Sequence, residues 1–516
     1  MRKFLPLLAV LALFSCGDPA EEGPVDNAAP ALVSVTPADG TGGIETSSQA
    51  VVFAFDQNIA CTPVGMQGIS VDGGAFIEKV ALSKAELTVV VAGLSRGKSY
   101  TVTLPAGTVR GFKQGQKGSE AITVRFSTKD PDLAPDPERW EAMDIAVRNM
   151  GAGWNLGNTL DTNSGDAENM WFEMNTDRTP IRYETGWGQP VTTRALIHMF
   201  KDAGFNAIRV PVTWYPHIGT VAVTPRTGED GKVHGFWDKS TWTGYDVDPA
   251  WMARVKEIVV YVLDEGMYCI LNVHHDTGAG SAAWLVASEA DFAAVKDRYQ
   301  ALWEQIATTF KDYGEKLLFE SFNEMLDPLD SWCFASFNSE NRYDAEVARS
   351  AYVGIDSYND LFVKTVRATG GSNQARNLVV NTYGACSGDG TWNSHLLEPL
   401  TQFNLPEDPG HIAVEIHSYW EADKFEEQQA DIDRLFKNLD TYLVRRLGVP
   451  VIIGEWGGGA NEDTEGMIRF SGYFSLKAKN AGIPAFYWMC LSDGDDRAVP
   501  RWTTPLVKDA ILKPYL

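Results

Sequence analysis

Beyond residue 140 the chain alternates short apolar runs of strand length with longer amphipathic stretches, and that alternation leaves few folds open. The runs are Trp154–Leu156, Ala207–Val210, Tyr268–Val273, Leu317–Phe322, Leu378–Asn381, Ile412–Ile416, Val451–Gly454 and Ala485–Trp488. Between them, segments such as Trp251–Glu265, Arg298–Tyr313 and Ser357–Arg367 carry apolar residues at three-to-four spacing, as helices with one buried face do. Strands and helices in alternation build a parallel sheet, because parallel neighbours need a crossover that a helix supplies. Eight candidate strands suit closure into a (β/α)8 TIM barrel over residues 140–516, and a segment of that length predicts long loops after the strands. A nucleotide-binding doubly wound sheet is disfavoured, since Gly151 and Gly153 precede the first run instead of following it.

Residues 29–129 have a different texture. Runs such as Ala50–Phe55, Leu87–Val91 and Tyr100–Leu104 alternate inward and outward character between close-set turn residues, which predicts a small antiparallel β-sandwich. Its opening Val35–Gly40 and closing Ile122–Thr128 resemble bacterial Ig-like domains, and the stretch contains no Trp for a sugar-stacking platform, so a spacer is expected. Residues 130–139, rich in Pro and Asp, read as a stiff linker. At the start, Arg2 and Lys3 precede an apolar run to Phe14 that is too short to span a bilayer, so residues 1–15 read as a signal peptide. The sequence Leu13-Phe14-Ser15-Cys16 resembles the lipobox of bacterial lipoproteins, which implies lipidation of Cys16. Residues 16–28 are an acidic, Pro- and Ala-rich tether, so the expected location is that of an exported bacterial lipoprotein on the outer membrane and cell surface.

A formal net charge of -24 with no basic cluster after Lys3 excludes a nucleic-acid partner. The cysteines form no CxxC pair and no metal spacing, so no metal and no cofactor is expected. Cys269 and Cys490 fall in apolar runs; Cys333 and Cys386 fall in loop-like sequence and are the candidate disulfide pair. The acidic stretch Asp493–Asp496 lacks the downstream glutamate of an EF-hand and reads as a solvated loop.

Ionisable and polar residues recur where the predicted strands end: Arg209, His274, His275, Asp276, Asn323, Glu324, His417, Tyr419, Glu455 and Trp488. In a (β/α)8 barrel these ends converge on one mouth. Two glutamates from opposite strands suit acetal cleavage, which needs a proton for the leaving oxygen and a negative charge against an oxocarbenium-like transition state. The motifs Val273-His274-His275-Asp276, Phe322-Asn323-Glu324, His417-Ser418-Tyr419, Ile453-Gly454-Glu455-Trp456-Gly457 and Tyr487-Trp488 resemble those of glycoside hydrolase family 5. Gly153–Asp161 and Glu184–Pro190 are similar to its endoglucanases and xyloglucanases, often grouped as subfamily 4.

The resemblance implies a retaining, endo-acting β-glycosidase on β-1,4-glucan-type chains: cellulose-like, mixed-linkage or xyloglucan. It implies Glu324 as acid/base and Glu455 as nucleophile. Arg209 and Tyr419 would hold Glu455, Arg209 lowering its pKa; Asn323 would bond the sugar 2-hydroxyl; His274 and His417 would orient substrate and tune Glu324; Trp488 would stack on the sugar; and His275 is a candidate sugar contact that a loop role would explain equally well. An endo-β-mannanase shares this catalytic set, and a non-catalytic glycan-binding lipoprotein is the alternative of another class. The expected partners are a polysaccharide and, through the lipid anchor, a membrane, with the chain monomeric. Asp276, Trp214, Trp154, Trp187 and Trp284 stay open between packing and sugar contact.

Overall fold

The computed structural model describes residues 28–44, 48–94, 97–112, 117–128, 140–163, 179–227, 231, 233–278, 283–329, 343–388, 395–459, 462–488 and 490–516, without the side chains of 226 and 234–237. The apolar N-terminal run, Cys16, most of the tether, the linker and Cys333 lie outside the described residues, and so does the Cys333–Cys386 pairing.

Among the described residues the first module has ten strands: β1 (Leu32–Thr36), β2 (Thr41–Ile44), β3 (Ser48–Phe55), β4 (Ile59–Cys61), β5 (Ser70–Val71), β6 (Phe76–Ser83), β7 (Glu86–Ala92), β8 (Ser99–Leu104), β9 (Val109–Gly111) and β10 (Ile122–Thr128). They form two four-stranded sheets, β1-β3-β7-β6 and β2-β10-β8-β5, with β4 and β9 paired apart. Alternate residues face inward: Val51, Phe53 and Phe55, then Leu87, Val89 and Val91, then Tyr100, Val102 and Leu104 meet in one core. One pairing departs from the antiparallel expectation, since β2 runs parallel to β10. The module also touches the barrel. Arg194 bonds Glu78 as well as Asp264, and the Lys256 amine reaches the Gly74 carbonyl at 3.3 Å, so the expected spacer has polar contacts to the domain it precedes.

Eight parallel strands then close a barrel in the order β11 (Ala152–Asn155), β12 (Ala207–Val210), β15 (Tyr268–Asn272), β16 (Leu317–Glu320), β17 (Leu378–Asn381), β18 (Ile412–Tyr419), β19 (Val451–Gly457) and β20 (Ala485–Trp488). Between β12 and β15 lies a hairpin, β13 (Ile218–Thr227) with β14 (Val233–Val247), whose mixed, Gly-interrupted sequence gave no strand signal. The helices 289–309 and 345–368 begin well before the predicted segments. Each starts at a side-chain cap, Ser288 accepting from the Asp291 amide and Asp344 from the Glu346 and Val347 amides.

Inside the barrel, one apolar layer sits below one polar layer. Ala207, Ile270, Leu318, Val379, Ala413, Ile452 and Phe486 form the lower layer, closed from beneath by Met143, Ala146, Val147 and Met150 of the helix 143–150. Two residues further along the same strands stand Arg209, Asn272, Glu320, Asn381 and Glu415, all fully buried. A strand returns to the same face every second residue, so both layers point inward. Among the described residues, no helix is long and apolar enough to cross a membrane.

Candidate active site

Arg209 on β12 anchors the polar layer. Its five N–H donors meet five acceptors: Nε and Nη2 clasp Glu320 at 2.7 Å each, Nη1 reaches Glu455 Oε1 at 2.8 Å and Asn155 Oδ1 at 3.0 Å, and Nη2 reaches Asn323 Oδ1 at 2.8 Å. A rigid planar fork suits this role because it fixes several oxygens at once. Asn155 also donates to the carbonyls of Gly454 and Phe486, bracing β19 where its pairing with both neighbours shifts register. That irregularity lies beside Glu455, where a bulge re-aims a side chain.

Glu455 and Glu324 lie close together. Glu455 also accepts from the Tyr419 hydroxyl at 2.6 Å, and Glu324 faces His417 Nδ1 at 2.7 Å; oxygens of the two carboxylates and a nitrogen of His417 all lie within 4.8 Å of one another. Arg209 pulls the pKa of Glu455 down, as expected, but it is outweighed. Burial pushes Glu455 above the ordinary carboxylate value, and His417, Arg209 and Tyr419 offset only part of that shift.

The histidines divide by environment. For His417 burial opposes the charge, but Glu455, Glu415 and the bonds to Glu324 and Glu415 prevail and push its pKa well above the usual value. His274 goes the other way: burial first, then the repulsion of His275, Arg209 and His417, push it well below. Asn272 donates to His274 Nδ1 at 3.0 Å, so the neutral ring carries its proton on Nε2, which faces Glu455 Oε1 at 3.8 Å. Trp488 lies parallel to the His274 ring, 5.6 Å away at 5°. His275, partly exposed, lies 5.4 Å from the half-buried Trp187 ring and 4.0 Å from Asp161.

Two groups offer the donor types of a metal centre, Asp161 with His274 and His275, and Glu324 with His417 and Glu455. In each, the hydrogen bonding places a proton on a nitrogen that a metal would need: Nε2 of His274 and Nδ1 of His417. Neither is read as a metal site.

The open residues now separate. Asp276 is fully buried and accepts from the Trp214 and Tyr215 amides at 2.8 Å and from the Trp284 indole at 2.6 Å, so it ties together the loops after β12 and β15; burial raises its carboxyl to about 6. Trp214 is buried with its indole on the Asn272 carbonyl, and Trp154 packs on Phe200 in the core. Trp284 is buried against Trp242, which leaves Trp187 as the one of the four beside the site histidines. Glu184 is fully buried in a two-point pair with Arg254. The stretch 493–496, expected as a solvated acidic loop, is bonded into the fold: Asp493 accepts from Gln189 at 2.5 Å, Asp496 binds Thr503 and Arg501, and Arg497 is buried with bonds to the Ser492 and Gly157 carbonyls.

Sequence reading missed Asn155, Asn272, Glu320, Asn381 and Glu415. Their signal was present as a polar residue two positions after an apolar one inside otherwise apolar runs.

Residues 163–494 match the family model for cellulases of glycosyl hydrolase family 5. The chain belongs to that family. Residues 26–128 match the bacterial Ig-like domain model. This family 5 chain is 32% identical to endoglucanase B of Neocallimastix patriciarum over 66% of its own length and 63% of the relative's, and 31% identical to endoglucanase A of Clostridium longisporum over 72% and 65%. It thus spans slightly under two thirds of those relatives. Among solved structures it is similar to a GH5-4 broad specificity endoglucanase from an uncultured bacterium, at 46% identity and TM-score 0.62 over 73% of this chain and 96% of that one. A family 5 enzyme of Prevotella bryantii, solved with a xyloglucan tetradecasaccharide, matches at 36% identity and TM-score 0.59 over 73% and 99%.

Proposed function

We propose that the chain is an endo-acting, retaining β-1,4-glucanase for cellulose-like, mixed-linkage or xyloglucan chains. The observation that carries the reading is the separation of the two carboxylates, whose oxygens lie within 4.8 Å. Retaining glycosidases place the pair about 5–5.5 Å apart, whereas inverting ones leave room for a water at roughly 6.5–9.5 Å. The names of the similar enzymes support the glucan.

In this reading Glu324 delivers its proton to the glycosidic oxygen while Glu455 attacks the anomeric carbon; the C–O bond to the leaving chain breaks and a glycosyl ester of Glu455 forms. Glu324, now ionised, takes a proton from water, whose oxygen displaces Glu455 and restores both groups. Asn323 is bonded by Arg209 through its oxygen, which leaves its amide nitrogen for the sugar 2-hydroxyl, and Trp488 offers an aromatic face to the ring.

Reducing-sugar assays on xyloglucan, lichenan, carboxymethylcellulose and glucomannan, with proton NMR of the first anomer released, test the proposal. The expected outcome is hydrolysis of at least one β-1,4-glucan with the β-anomer appearing first. Activity confined to mannan, or initial release of the α-anomer, overturns it.

For location we propose an exported lipoprotein anchored at Cys16, supported by the charged start, short apolar run and small residue before that cysteine. Cys16→Ser is expected to move the full-length protein from the membrane to the soluble fraction of the producing bacterium. Unchanged fractionation overturns the anchor.

A further inference from the structure

Glu415 has no place in the mechanism above, yet the barrel is built around its carboxylate. It lies fully buried on the inner face of β18, with Oε1 3.0 Å from His417 Nε2 and 3.7 Å from Arg209 Nε, and with Oε2 accepting from the Asn381 amide. Across from it, β19 carries Gly454, where any Cβ would overlap the Glu415 carboxylate, so the neighbouring strand leaves its inner position empty to admit it. His417 is therefore held at both nitrogens by carboxylates. Nε2 faces Glu415, and Nδ1 faces Glu324 Oε1 at 2.7 Å and Glu455 Oε2 at 3.6 Å.

We propose that Glu415 is a positioning residue which keeps His417 doubly protonated, so that one fixed imidazolium faces the negative charge in both halves of the reaction. Before cleavage the charge is on Glu455 and Glu324 is protonated. After proton transfer and ester formation Glu455 is neutral and the charge is on Glu324. Net charge is unchanged while its location moves from one side of Nδ1 to the other. A cation already in place for both states needs no reorganisation, which is how preorganised electrostatics lowers a barrier. A neutral imidazole would serve neither state as well.

The surroundings agree. The groups facing His417 are Glu415 on its own strand, Glu324 after β16, Glu455 on β19 and His274 after β15, while Arg209 and Tyr419 bond Glu455 beside it. Glu415 faces His417, Arg209, Glu320 and Asn381. Burial and Glu320 push Glu415 up to about 7 against the pull of His417 and Arg209, and His417 is itself pushed well above its usual value. The upward shift of His417 favours the proton between Nε2 and Oε1 on the ring.

The inference rests on Glu324 and Glu455 acting as read above, and its test has one arm that needs no turnover. Nitrogen-15 NMR of labelled histidine in the wild-type protein at pH 6 to 7 is expected to show both His417 nitrogens protonated; a singly protonated ring overturns the proposal whatever the enzyme cuts. In Glu415→Gln the His417 titration is expected to move down by one pH unit or more. Kinetically, hydrolysis of a polysaccharide the wild type cleaves is expected to fall about 10- to 100-fold. A 2,4-dinitrophenyl cellobioside, whose leaving group needs no proton, is expected to lose less than about threefold in the same step. Equal losses on both substrates with an unmoved His417 titration indicate a packing role for Glu415 and sink the idea. Inactivity of the wild type on every β-glucan instead counts against the proposed function and leaves the NMR result to decide the inference.

Discussion

Glu455→Ala is expected to abolish turnover, by about ten-thousand-fold or more, in a protein that still folds. The chemical half of this follows from the absence, among the described residues, of a second carboxylate placed to reach the anomeric carbon. Glu324 is held by His417, and Glu320 and Glu415 lie fully buried in the layer below. The folding half follows from the hydrogen bonds. Without Glu455 the Arg209 guanidinium keeps four of its five bonds, two to Glu320 and one each to Asn155 and Asn323, while the half-exposed Tyr419 can turn its hydroxyl to water. A buried carboxylate whose pKa is raised by desolvation also costs stability when ionised, so its removal is expected to shift the melting temperature by only a few degrees. Added azide should occupy the vacated space and yield the α-glycosyl azide from an activated substrate. Turnover near the wild-type rate in this variant would falsify the assignment of the nucleophile.

Arg209→Met is expected to act in the opposite sense, damaging the fold as much as the chemistry. It removes the one guanidinium that contacts Glu320, Glu455 and, more distantly, Glu415, and leaves three carboxylates at the centre of a closed barrel. Breaking a buried ion pair from one side costs about 3–5 kcal/mol, which for a domain of this size is roughly 4–6 °C in melting temperature. The loss should depend on pH in a defined direction. Glu415 and Glu455 already have folded-state pKa values above those of an unfolded chain, and losing the cation raises them further. A carboxyl shifted upward destabilises where it is ionised and ceases to do so as pH falls through the folded value. The deficit relative to wild type should therefore be larger at pH 8 than at pH 5, as calorimetry at the two values can measure. A deficit that grew on acidification would mean the carboxylates are not the source.

The barrel was legible because its strands are short, mostly apolar on both faces and separated by helices, so each run announced itself without any partner. The same property hid the polar layer. Glu320 and Glu415 sit within runs whose other members are apolar, and only folding into a closed barrel shows that they share an inner face with Arg209. Residues at strand ends were easier, since Glu324, Glu455, His417 and Tyr419 fall where apolar character stops and the mouth begins. The hairpin 218–247 was not legible, because its residues mix polar, aromatic and Gly without a period that would distinguish a strand from a loop. Asp276 could not be assigned for a related reason: its three donors come from two different loops, a relation that no local spacing encodes.

Gly454 and Glu415 fill one volume between them, and this bears on how such sequences can diverge. Neither position is free to drift alone. A methyl group at 454 would require the carboxylate at 415 to leave, and a smaller residue at 415 would open a void that a side chain at 454 could enter. The two positions are coupled, because a side chain at 454 and the carboxylate at 415 exclude each other in this packing.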